Sequence, residues 1–159
     1  YLGEKINPHS TAGKAAMVIH MQNYSAGTDA LIKCDFGTAG ISEETYLQML
    51  NAATGREHGP DFLHQLGARS WNLIRLFTLR EGLDPAEDRL PRRFMHDPVP
   101  EGPQKGQVYR PDDTKKMLGE YYRLRGWDEN GQPQPDTLRV TGIDAGPAFK
   151  ANSFRDKSD

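Results

Sequence analysis

From Pro60 to Glu81, apolar side chains recur at three-, four- and seven-residue intervals through Phe62, Leu63, Leu66, Leu73, Ile74 and Phe77. That period belongs to a helix; a strand would alternate every second residue. Pro60 suits the first turn, where a missing N–H costs no hydrogen bond. Gly82 suits the C-terminal cap, because it takes a left-handed conformation without a steric penalty. Gly67 interrupts the pattern, which predicts a kink or a break there.

The rest of the chain reads largely the same way. A first helix is expected near 14–26, preceded by Gly13 and followed by Gly27, with Met17, Val18 and Met21 on its apolar side. Thr28 or Asp29 then caps a short second helix, Ala30 to Lys33. Ser42 is the N-cap of a helix near 43–54, with Glu43 and Glu44 in the first turn, where the helix dipole favours anions. Tyr46, Leu47 and Leu50 form its stripe, and Gly55 closes it. Asp112 or Asp113 caps a helix near 113–125 that carries Met117, Leu118, Tyr121, Tyr122 and Leu124, closed by Gly126. Asn130-Gly131 marks a turn, and Asp136 caps a last short helix, Thr137 to Thr141. Pro91, Pro98, Pro100, Pro103 and Pro111 exclude a regular helix or a central strand between them. That stretch is expected to be an extended arm lying on another element. The expected fold is all-α, an irregular helical domain with a proline-rich extended arm. It occupies residues 1–143 and is followed by a polar, mobile tail over 144–159.

Composition narrows the function classes. The 159 residues suit one domain. No run approaches the roughly 20 apolar residues that a transmembrane helix needs, and no signal peptide is visible. Tyr1 in place of Met predicts a fragment or a processed product. The net charge is −2 with both signs interspersed, unlike the broad basic field of a nucleic-acid binder. The densest basic cluster, Arg89, Arg92 and Arg93, lies beside Asp84, Glu87 and Asp88 and reads as a salt-bridged surface. The one cysteine, Cys34, excludes an intrachain disulfide and points to an intracellular, cytoplasmic setting. One thiol also cannot by itself hold an iron–sulfur cluster or a structural zinc of the thiolate kind.

Taken residue by residue, the sequence shows little catalysis. No two of His9, His20, His58, His64 and His96 stand four apart, the spacing that sets two ligands on one helix face, so a histidine metal site is not expected. There is no glycine-rich phosphate loop and no nucleophile elbow. Cys34 alone reads as a small buried core residue, and Asp29 alone as a helix cap.

Their surroundings change that reading. Thr28-Asp29-Ala30-Leu31-Ile32-Lys33-Cys34-Asp35-Phe36 resembles the C-terminal motif of the aldehyde ferredoxin oxidoreductase family, in which an aspartate stands five residues before a cysteine. Gly13-Lys14-Ala15-Ala16 is similar to the approach to that motif, and Leu50 to Gly55 to the segment after it. Asn72-Leu73-Ile74-Arg75-Leu76-Phe77, Arg80-Glu81-Gly82, Asp88-Arg89-Leu90-Pro91-Arg92-Arg93-Phe94, and Glu120-Tyr121-Tyr122 through Arg125-Gly126-Trp127-Asp128 resemble later family segments. The likenesses keep their order over roughly residues 13 to 143.

The resemblance implies a tungsten or molybdenum ion held by two molybdopterin dithiolenes beside a [4Fe–4S] cluster. Three cluster cysteines would come from an earlier part of the full protein and the fourth would be Cys34. Asp29 would contact a pterin, and Lys33 between them is a further cofactor-binding candidate. A carboxylate can accept two pterin N–H groups at once, and cluster iron needs a soft thiolate. Five residues of helix advance about 7.5 Å, so one short segment is expected to hold the pterin at one end and the cluster at the other. The partners implied are the N-terminal domain of the same enzyme, ferredoxin or another electron-transfer subunit, and an aldehyde or acyl-CoA substrate. The activity implied is oxidation of aldehydes to carboxylic acids. The alternatives are a benzoyl-CoA-reductase type of chemistry within the same superfamily, and a non-catalytic helical interaction module. Only a module of the last kind has no use for the Cys34 thiol.

Overall fold

The computed structural model describes residues 7, 10–34, 36 and 40–144. Six α-helices follow one another: α1 (Lys14–Ala30), α2 (Glu43–Thr54), α3 (Phe62–Arg80), α4 (Arg92–His96), α5 (Pro111–Arg125) and α6 (Pro135–Val140), with a 3-10 turn at Pro85–Glu87. Among the described residues there is no strand, only one isolated bridge between Trp127 and Pro133. The all-α expectation is met. Nearly all of the expected tail, residues 145–159, lies outside the described residues.

The fold centres on α1 packed against α3, with α5 alongside α1. Two glycines make the crossing close. A Cβ on Gly27 of α1 would lie 2.2 Å from the Leu63 carbonyl oxygen, and one on Gly67 of α3 would lie 1.8 Å from the Asn23 carbonyl oxygen. Gly27 faces Leu63 while Asn23 faces Gly67, so the two helices run antiparallel. This geometry corrects two sequence expectations. Gly27 does not end the first helix, which runs on to Ala30, and no separate helix forms over Ala30 to Lys33. Gly67 neither kinks nor breaks α3, which is continuous over 62–80. In both places the missing side chain serves backbone contact between helices, a use that a one-dimensional pattern does not distinguish from a stop.

Several helix ends follow the sequence. Ser42 Oγ accepts the Thr45 N–H at 3.1 Å at the start of α2, and Gly55 ends it in a left-handed conformation. After α3, the Gly82 and Leu83 N–H groups bond back to Leu79 and Thr78. Two starts differ from expectation. Helix α5 begins at Pro111 and α6 at Pro135, each with proline in the first turn. Asp112, Asp113 and Asp136 therefore stand inside the first turns, where they complement the dipole without capping. The proline-rich arm is irregular apart from α4. It doubles back on itself: the Val99 N–H bonds the Gln107 carbonyl at 3.0 Å, and the Tyr109 N–H bonds that of Phe94 at 2.9 Å.

The apolar core is small. Leu76, Leu138 and Ile143 cluster together, while Leu73, Ile74 and Phe77 of the expected α3 stripe are 43%, 49% and 54% exposed. The buried face of α3 instead carries Leu63, Gly67, Asn72, Arg75 and Leu76. Polar groups do much of the interior work.

Candidate cofactor-binding site

The segment that carries Asp29, Lys33 and Cys34 is the C-terminal end of α1 and the turn that follows. The Lys33 N–H bonds the Thr28 carbonyl at 3.2 Å, and the Ile32 N–H bonds that of Asp29 at 2.9 Å. This pair of bonds is the Schellman arrangement, which normally has glycine in the left-handed position. Here that position is Ile32, with φ 58°. A β-branched residue in that region is a genuine outlier, costing on the order of 1–2 kcal/mol. Its side chain is 94% exposed and that of Phe36 is 96% exposed, so no packing within the described residues offsets the cost. Backbone strain of this kind tends to lie at functional sites. The turn is anchored behind by Thr28, which is fully buried and donates its hydroxyl to the Ser25 carbonyl at 2.9 Å.

The three candidates have different settings. Asp29 is exposed in the last turn of α1 and caps nothing. Its carboxylate sits at the helix end where the dipole disfavours an anion, and no described residue donates to it. Cys34 is exposed rather than a buried core residue. The chain between them turns through the left-handed Ile32, so they are not the two ends of one helical segment, and the helical spacing does not apply. Lys33 is held back against the fold. Its ammonium donates to the Tyr24 hydroxyl at 3.1 Å and lies 5.1 and 4.9 Å from the Tyr24 and Tyr46 ring centres. It ties α1 to α2.

Sequence reasoning missed a buried polar network. Arg75 Nε donates to the Gly131 carbonyl at 2.7 Å, and its Nη2 pairs with Asp88 at 2.6 Å. The Tyr122 hydroxyl donates to the same carboxylate, and burial, with this bond to Asp88, pushes the Tyr122 pKa up to about 12. Trp127 Nε1 donates to Asn72 Oδ1 at 2.8 Å. Arg125, 6% exposed, donates to Asn23 Oδ1 at 2.6 Å, Gln22 Oε1 at 2.7 Å and the Tyr121 hydroxyl at 3.1 Å. Burial lowers its pKa, against the pull of Tyr121. Beside this network lies a mostly apolar cavity of about 690 Å³, walled by Val18, Ile74, Phe94, Tyr109, Met117 and Leu118 among others. None of Asp29, Lys33 or Cys34 lines it.

A second grouping has no local sequence signal, because its residues stand on three different helices. His20 of α1, Glu43 of α2 and His64 of α3 converge, with one potential ligand atom from each lying within 4.8 Å of the others. His58 stands apart and stacks on Phe62 at 3.8 Å.

The pattern described as aldehyde ferredoxin oxidoreductase, domains 2 and 3, matches residues 2–143. The chain is 44% identical over 142 residues to a tungsten-containing aldehyde ferredoxin oxidoreductase of Pyrococcus horikoshii, covering 88% of this chain and 23% of that protein. It is 44% identical over 141 residues to the protein of the same name from Thermococcus kodakarensis, with 87% and 23% covered. It is 31% identical over 140 residues to an aliphatic sulfonate oxidoreductase, WOR-like subunit, of Pyrococcus furiosus, with 84% and 22% covered. The chain thus spans less than a quarter of the length of these relatives. Its helical architecture, its ordered motifs and these matches agree: the chain belongs to the aldehyde ferredoxin oxidoreductase family.

Proposed function

We propose that this chain is the cofactor-covering C-terminal part of a tungsten-containing enzyme that oxidises aldehydes to carboxylic acids and passes the electrons to ferredoxin. The observation that carries the proposal is the end of α1. An exposed thiol and an exposed carboxylate flank a strained turn whose apolar side chains, Ile32 and Phe36, have no cover among the described residues. A surface of that kind suits a buried position in a larger assembly. The charge-bearing groups also fit the family's cofactors as a donor set. Asp29 has open acceptor capacity, as a pterin edge with several N–H groups requires. Cys34 offers one thiolate, and the family resemblance implies its role as the fourth ligand of a [4Fe–4S] cluster whose other three come from the N-terminal part of the enzyme. Once bound, the tungsten bis-molybdopterin would supply the two-electron chemistry and the cluster the one-electron path outward.

On this reading each residue has a limited task. Asp29 orients and holds a pterin. Cys34 holds the cluster edge. Lys33, committed to Tyr24 and Tyr46, places positive charge behind the turn and fixes the approach of α2 to it. The setting is cytoplasmic, where ferredoxin and a reduced thiol coexist. The sulfonate-named relative favours a second reading of the substrate, since a similar domain serves an enzyme named for another compound class.

The test is made on the full-length enzyme purified without oxygen. Elemental analysis should give tungsten with four irons per chain, and aldehyde should reduce ferredoxin. Absence of tungsten, or turnover of an aliphatic sulfonate but of no aldehyde, would contradict the proposal.

A further inference from the structure

Helices α1, α2 and α3 each bring one nitrogen or oxygen ligand, from His20, Glu43 and His64, toward a common point. His64 Nε2 lies 3.1 Å from Glu43 Oε2, and the His20 and His64 rings stack with centres 4.4 Å apart and planes 29° from parallel. The candidate ligand atoms of all three lie within 4.8 Å of one another. Bonds of ~2.0–2.1 Å to a tetrahedral zinc hold neighbouring ligand atoms about 3.3 Å apart. The His64–Glu43 edge is already inside that span; His20, whose ring stacks on His64, has to turn out of the stack to bring its nitrogen to the same point. We propose that His20, Glu43 and His64 form a binding site for one divalent cation of the zinc class, with an open fourth position for water.

The chemistry of the set supports this. Two imidazoles and one carboxylate are borderline-to-hard donors that suit zinc. Both histidines must be neutral to bind, and the site favours that form for His20. Burial, then the neighbouring His64, holds its pKa below the ordinary value, with Glu43 opposing. The carboxylate has its own reason to be there, since Glu43 opens α2 and complements its dipole. The side chains of His64 and Glu43 are 21% and 42% exposed, so an ion has a path in. The consequence is mechanical. Leu47 is the buried residue of α2, so that helix has few other anchors. A cation would clamp its first turn to α1 and α3.

The experiment uses the full-length enzyme, dialysed against a chelator and then titrated with zinc sulfate. Wild type should bind one zinc that is absent from the His20→Asn/His64→Gln double variant, and crystals should give an anomalous peak at the zinc edge between these three side chains. Glu43→Gln should keep the fold while weakening zinc binding by more than about 100-fold, the upper end of the effect of losing an outer-shell partner. Equal zinc binding by wild type and double variant, or a zinc peak elsewhere, would overturn the site. Neither result bears on tungsten and iron content, so the proposed function stands or falls separately.

Discussion

Two regions that share α1 are built on opposite terms. Where α1 crosses α3 and α5, backbone meets backbone at Gly27 and Gly67, and the buried cations are answered. Arg75 has Asp88 and a carbonyl, and Arg125 has Gln22, Asn23 and Tyr121. At the C-terminal end of the same helix, Ile32 is held left-handed, Asp29 opposes the dipole, and Ile32 and Phe36 stand in the open. The crossing is satisfied by this chain alone. The helix end carries costs that nothing among the described residues offsets. Satisfied packing and unrelieved strain are thus separated along a single helix.

Breaking the crossing should do the most damage. Arg75→Met leaves the Asp88 carboxylate without its cation, and removing one partner of a buried pair typically costs about 3–5 kcal/mol. Because Asp88 is 24% exposed, the lower end is expected, read as a fall in the urea midpoint. Gly67→Ala drives a Cβ into the Asn23 carbonyl region, where only backbone can yield. An overpacking loss of about 1–3 kcal/mol follows.

The network also has a pH signature. The folded-state pKa of Tyr122 is about 12 against an ordinary value of 10.0. The unfolded chain therefore loses this proton first as pH rises. The contribution is intact below pH 10 and is lost between pH 10 and 12. Tyr122→Phe should flatten the fall in melting temperature over that window; an unchanged slope would show that the hydroxyl is not held by Asp88.

The smallest effect should have the opposite sign. Ile32→Gly relieves the left-handed strain, offset in part by the greater freedom of glycine in the unfolded chain, so a gain of about 1 kcal/mol or less is expected. Stabilisation by a substitution at the helix end, beside losses at the crossing, would sharpen the contrast. A loss would show that the isoleucine packs on something essential.

The sequence made the helices legible because their periods and several caps are local properties. Ser42 and Gly55 could be assigned from neighbours a few residues away. The glycines of the crossing could not, because their role depends on Leu63 and Asn23 on the facing helix. The motifs that carried the family resemblance prove to be partners in space: Asn72 meets Trp127, and Arg75 meets Asp88. Their order along the chain identified the family, yet nothing one-dimensional showed that they join into a network. The Asp29–Cys34 motif was legible only through the resemblance. Taken alone, Cys34 read as core and Asp29 as a cap, and the structure places both on the surface. The convergence of His20, Glu43 and His64 was hidden because each belongs to a different helix.

The central claim is that the exposed thiol is a cluster ligand, and paramagnetic resonance of the dithionite-reduced full-length enzyme tests it most directly. In Cys34→Ser the [4Fe–4S] signal should be lost or shifted and ferredoxin reduction should fail, while Asp29→Asn should leave the cluster signal in place and lower the tungsten content. A wild-type cluster signal in Cys34→Ser, with four irons retained and ferredoxin still reduced, would contradict the account.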